Sequence, residues 1–207
     1  FLLFLNVSIA QKNIKNSFSI PQGYERANLN NYHKWLINQP LIFDSPAKIY
    51  QGDIVYGLND IYIAKFDYSI GVKNLHQCAD AAMYFNATYL YETNQWDRIN
   101  YHFDETYSFP FKRYVWRTHT NDKTALKKYL EKVWAGAGSL SLDKFDTKPV
   151  TLKEAIAGDL IIEGGSPGHV ITIVDVIVNK TTGVKKYMLA QSYMPAQEQY
   201  ILLNEEN

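Results

Sequence analysis

From Val170 to Val178 the chain is apolar on both faces of an extended backbone. Val170, Thr172, Val174 and Val176 alternate with Ile171, Ile173 and Ile177, and Asp175 is the lone charge. Such a run predicts a strand buried in the middle of a sheet. It follows the glycine-rich turn "GGSPGH" and precedes "NKTTGV", a turn that predicts an antiparallel hairpin with Lys186–Ser192. Asp159–Ile162 and Gln199–Leu203 read as further strands. A helical period runs through Asn74–Asn94, where Leu75, Ala79, Ala82, Met83, Ala87 and Leu90 recur and Asn74 can cap the start. A second helix, Asn121–Ser139, carries the stripe Leu126, Tyr129, Leu130, Val133 and Trp134, and glycines end it. Asn28–Pro40 predicts a short helix. Ala47–Gly71, "DRINYHF" and "YSFPFKRYVWR" look strand-like. The sum is an α+β domain without repeats, over residues 28–207, behind a linker at 11–27 that has no periodicity.

Composition narrows the function classes. A chain of 207 residues can bury a real core. Its 21 basic and 21 acidic side chains cancel, which argues against nucleic acid as a bulk electrostatic partner. Tyrosine-rich composition suits sheets and peptide- or sugar-binding clefts without choosing between them. Residues 1–10, "FLLFLNVSIA", resemble the tail of a secretory signal, with Ser8 and Ala10 at the spacing of a cleavage site. The expectation is export to the periplasm or the outside, with Gln11 as the mature start; a buried first strand is the alternative. No later stretch has the ~20 apolar residues of a membrane span. Neither a cofactor nor a metal is expected. His76 and Asp80 stand at i,i+4, but no third ligand accompanies them.

The single cysteine is Cys78, placed within about the first turn of its helix. Helix N-termini lower thiol pKa values, and their free N–H groups, such as that of Ala79, can hold an oxyanion. In an exported protein an unpaired Cys is either a small buried apolar residue or a reactive group. A nucleophile needs a base. His76 lies two residues away, on a different side of the helix, and His33, His102 and His119 sit among ordinary polar and aromatic neighbours. His169 opens the buried strand after a glycine loop and is the preferred base. The hairpin brings Gln191 and Ser192 to the same end. The Gln191 amide can orient the imidazole, with Ser192 or Asp175 as substitutes; a strand-end glutamine bonding backbone is the alternative. Gly164, Gly165, Ser166 and Ser192 would then wall the substrate site.

Taken in order, "PQGYERANLNNYHKWLINQPL", "NLHQCADAAMYFNATYLY", "VWAGAGSLSL", "GDLIIEGGSPGHVITIVDV" and "LAQSYMPAQEQYIL" resemble the DUF4846 family. These are exported proteins of unknown function from Bacteroidetes-type bacteria, and the resemblance implies a domain that continues past the last residue here. "GDLIIEGGSPGHVITIVD" is also similar to the strand pair of NlpC/P60 and CHAP-type cysteine peptidases. That likeness implies a papain-like fold, with Cys78, His169 and Gln191 as the catalytic set and Tyr68 beside the nucleophile. It implies a hydrolase of amide bonds, with peptidoglycan stem peptides, or another peptide or glycopeptide, as substrate. A thiol acyltransferase would share the dyad, and a non-catalytic cell-envelope binding module would share the fold.

Overall fold

The computed structural model describes residues 11–27, 30–55 and 61–203. In chain order its first elements are α1 (Ile14–Ser17), β1 (Tyr24–Arg26), α2 (Asn31–Ile37), β2 (Leu41–Ile42), β3 (Tyr62–Phe66) and α3 (Cys78–Glu92). Then come β4 (Asn100–His102), β5 (Ser108–Pro110), α4 (Phe111–Thr118), α5 (Lys123–Trp134) and α6 (Ser139–Ser141). The chain ends in β6 (Leu160–Glu163), β7 (His169–Asn179), β8 (Lys185–Gln191) and β9 (Tyr200–Leu202). A 3-10 turn covers Trp96–Arg98, and a π-helical turn covers Leu142–Asp146.

The doubly apolar strand is central. β7 lies within a seven-stranded sheet ordered β1-β7-β8-β9-β3-β2, with β6 also paired to β7. β6 takes the His169 end of one edge, β1 takes the Asn179 end, and β8 runs along the other edge. Every pairing is antiparallel. The architecture is therefore α+β. α3 lies in the core between two apolar clusters, with nine of its fifteen residues buried. That all-round burial explains why its sequence lacks a strong polar face. One cluster joins α3 to α4 and α5; the other joins Phe85 to α1, α2 and the sheet. Among the described residues no helix is long and apolar enough to cross a membrane.

Several sequence expectations change. Residues 11–27, taken for a linker, belong to the domain: Ile14 is fully buried and β1 pairs with β7. "YSFPFKRYVWR" gives only the short strand β5 before turning helical at Phe111. Phe111 and Tyr114 are buried, whereas Lys112, Arg113, Trp116 and Arg117 are exposed; that is a helical period, masked by the β propensity of its aromatics. In Ala47–Gly71 the described strand is β3 alone, with isolated bridges at Lys48 and Ile49, and residues 56–60 fall outside the description. α2 starts later than Asn28, capped by Asn30, whose side chain accepts the His33 N–H at 2.8 Å. The expected signal segment, residues 1–10, also lies outside the described residues.

Candidate active site

α3 begins at Cys78 because Gln77 is extended (φ −98°, ψ −166°) and its N–H is taken by Asp80 Oδ2 at 2.9 Å. Asn74, expected to cap this helix, instead accepts the Ala196 N–H at 2.8 Å. Cys78 is thus the first helical residue, where N–H groups lack intrahelical acceptors. Cys78 is 9% exposed, and the backbone N–H groups of Val170, Ala79 and Cys78 itself favour its thiolate. Burial pushes the thiol pKa up, and these donors oppose the shift without cancelling it. The expected lowering by the helix terminus is therefore overturned: desolvation wins, and the resting group is a thiol. Burial also pushes Asp80 up to about 8, against the pull of the Gln77 N–H. Once ionised, Asp80 opposes thiolate formation at Cys78.

His169 opens β7, and the backbone N–H of Val170, the next residue, is one of the groups that favour the Cys78 thiolate, which sets the start of β7 near the start of α3. His169 Nε2 meets Gln191 Oε1 at 2.7 Å. The Gln191 amide is itself fixed, since its Nε2 donates to the Tyr200 hydroxyl at 3.0 Å, and Gln197 Nε2 donates there at 3.4 Å. With an oxygen facing it, His169 Nε2 must carry the proton, which leaves the lone pair on Nδ1. Nδ1 is buried and has no hydrogen-bond partner. No hydrogen bond joins the Cys78 thiol to the His169 imidazole. Tyr193 covers the ring edge-on at 5.2 Å between centroids.

The other expected site residues spread out. Tyr68 donates to Gln199 Oε1 at 2.7 Å and meets His76 Nε2 at 3.2 Å, so its hydroxyl serves the chain before the cysteine. Burial among aromatic rings pulls His76 down to about 4. His76 and Asp80 face different partners and do not form a metal pair. Ser192 is fully buried, its hydroxyl 2.7 Å from Gln197 O and 3.1 Å from His76 O, so it ties the β8–β9 connection to the chain before α3 and does not face a substrate. Asp175 faces away from His169 and bonds Arg26 and His33. Gly164 and Gly165 press on the protein's own chain. A Cβ on Gly164 would stand 2.6 Å from Asp143 Oδ2, and Gly165 O accepts from Ser139 at 3.2 Å. Gly168 has no room for a side chain, since a Cβ would lie 2.6 Å from Gly165 O and 2.8 Å from Glu163 O. These glycines permit internal packing; only Ser166 and Pro167 of the loop are exposed.

Sequence reasoning missed a cleft of about 870 Å³ between α3, β6 and the π-helical turn. Its lining includes Ala82 and Met83, a turn beyond Cys78 in α3, with Asn86, Arg98 and Asn100, and neither Cys78 nor His169 lines it. Its walls come from separate segments, so no local motif announces it.

A family model described as "Domain of unknown function (4846)", DUF4846, matches residues 14–207. No curated protein and no solved structure matches the chain.

Proposed function

The chain belongs to the DUF4846 family, and we propose that this member is a papain-like cysteine hydrolase of amide bonds. One observation carries the proposal: His169, next in the chain to the Val170 N–H that favours the Cys78 thiolate, is held through Nε2 by an amide oxygen, with Nδ1 buried and unpartnered. A buried ring nitrogen without a partner is costly unless it has a use. Nδ1 accepts the Cys78 proton as sulfur bonds the substrate carbonyl carbon. The oxyanion takes N–H groups at the start of α3. The imidazolium then gives its proton to the nitrogen as the C–N bond breaks, leaving an acyl-enzyme. Nδ1 next takes a proton from water, whose oxygen bonds the carbonyl; the S–C bond breaks and the thiol regains the proton. The similarity of "GDLIIEGGSPGHVITIVD" to NlpC/P60 and CHAP-type peptidases supports the fold assignment and peptidoglycan stem peptides as substrate.

The near-complete burial of Cys78 and its raised pKa favour a second reading, a non-catalytic binding module of the cell envelope. Digestion of peptidoglycan by wild-type and Cys78→Ser protein, read by mass spectrometry, separates the two. We expect new amine and carboxyl termini with wild type only. Transfer of the acyl group to an added amine in place of water would mark an acyltransferase. Identical products from both proteins would end the hydrolase reading. Export is proposed on residues 1–10 alone; N-terminal sequencing of protein from its native host should find Gln11 first, and an intact apolar segment on the protein would refute it.

A further inference from the structure

The large cleft holds polar groups with unused bonding capacity. Asn100 Oδ1 is buried and has no partner. Asn86 uses Oδ1 to accept the Tyr101 hydroxyl at 3.1 Å, and among the described residues its NH2 makes no bond. Arg98 donates to Gln95 Oε1 at 2.6 Å and has no carboxylate partner among the described residues. Asp143, also in the lining, likewise meets no cation among the described residues and packs against Gly164. Asp159, also in the lining, is occupied by the Ile156 N–H at 2.8 Å. One free acceptor, one free amide donor and an apolar floor match the alternating N–H and C=O groups of a peptide backbone.

We infer that this cleft holds the carboxyl-terminal side of a short peptide, with Asn86 and Asn100 on its backbone and Arg98 on its free carboxylate. The inference rests on the proposed hydrolase reading only for what happens at Cys78. Scale supports it: Cys78 to Asn86 spans about 12 Å of helix, the length of roughly four extended residues. Arginine is the side chain best suited to fork a carboxylate. Bound so, the peptide places its carboxyl-terminal segment in the cleft as the leaving group of the amide cleavage.

The test is nitrogen-resolved NMR of Cys78→Ala protein titrated with tetra-alanine and with its C-terminal carboxamide. The free acid should shift the side-chain amide signals of Asn86 and Asn100, and the carboxamide should bind about tenfold more weakly. With Arg98→Gln added, acid and carboxamide should bind alike; Arg98 is exposed, so the change leaves folding intact. Absence of shifts, or equal binding of acid and carboxamide before Arg98 is changed, overturns the inference. Peptide that binds the cleft but is never cleaved when Cys78 is present removes the hydrolase and keeps the site. Peptidoglycan cleavage without tetra-alanine binding does the reverse.

Discussion

Asp175→Ala should cost about 3–5 kcal/mol of unfolding free energy, the range seen when one partner of a buried ion pair is removed. The carboxylate lies in the sheet interior with 5% of its side chain exposed. Arg26 Nε donates to one oxygen at 2.9 Å; His33 Nε2 at 2.6 Å and the Val176 N–H at 2.9 Å share the other. Alanine leaves a guanidinium and an imidazole facing each other without their anion. The loss is structural in reach, because Arg26 also donates to Ile14 O at 3.3 Å and so ties α1, β1 and α2 to the central strand. Burial alone would raise the Asp175 pKa, but His33 and Arg26 outweigh it and hold the carboxyl below its ordinary value. A depressed carboxyl contributes stability above its unfolded-state pKa and loses it as pH falls through the folded-state value. Urea unfolding followed by tryptophan fluorescence should therefore show an acid-side decline in wild type that is smaller in Asp175→Asn. A loss below about 1 kcal/mol in Asp175→Ala would place the cluster with surface pairs.

This cluster shows where the sequence was legible and where it was not. β7, its hairpin with β8, and α3 were readable because their signals are local: a run apolar on both faces, a turn between two runs, a 3.6-residue period. The His169–Gln191 contact followed from that hairpin, since antiparallel register fixes which strand ends meet. Asp175 joins Arg26 and His33 across 149 and 142 positions, and no local pattern encodes such a pairing. In sequence it is a lone charge in an apolar run, and its strand position suggests at most a substitute orienter for His169. α4 was lost because aromatic residues favour strands in isolation, while packing of Phe111 and Tyr114 against Tyr129 rewards a helix. The thiol pKa was misjudged for a related reason. Position at a helix start is visible in sequence, but burial by surrounding segments is not, and burial is the larger effect at Cys78.

His169→Ala should lower amide cleavage by about 10²–10⁴, the usual contribution of a positioned general base. The effect should be large here because Cys78 rests as a thiol, so attack depends on a base that removes its proton. Alkylation tests this without a substrate. Iodoacetamide should label Cys78 slowly at neutral pH, with a rate that climbs only above the ordinary thiol range, since burial raises its pKa. Ionisation of Asp80 near its raised value of about 8 adds a repelling charge, so Asp80→Asn should move the labelling curve to lower pH. Gln191→Ala and Tyr200→Phe probe the orienting chain. Gln191 Oε1 holds the proton on His169 Nε2, and Tyr200 keeps that amide from turning over. Ring-nitrogen NMR should show the Nε2–H tautomer in wild type and a mixture in both variants, with cleavage falling well before stability does. A merely structural glutamine would lower stability and leave the tautomer unchanged. If Cys78 is labelled only after denaturation, and His169→Ala changes neither labelling nor cleavage, thiol and imidazole are packing partners and the binding-module reading stands.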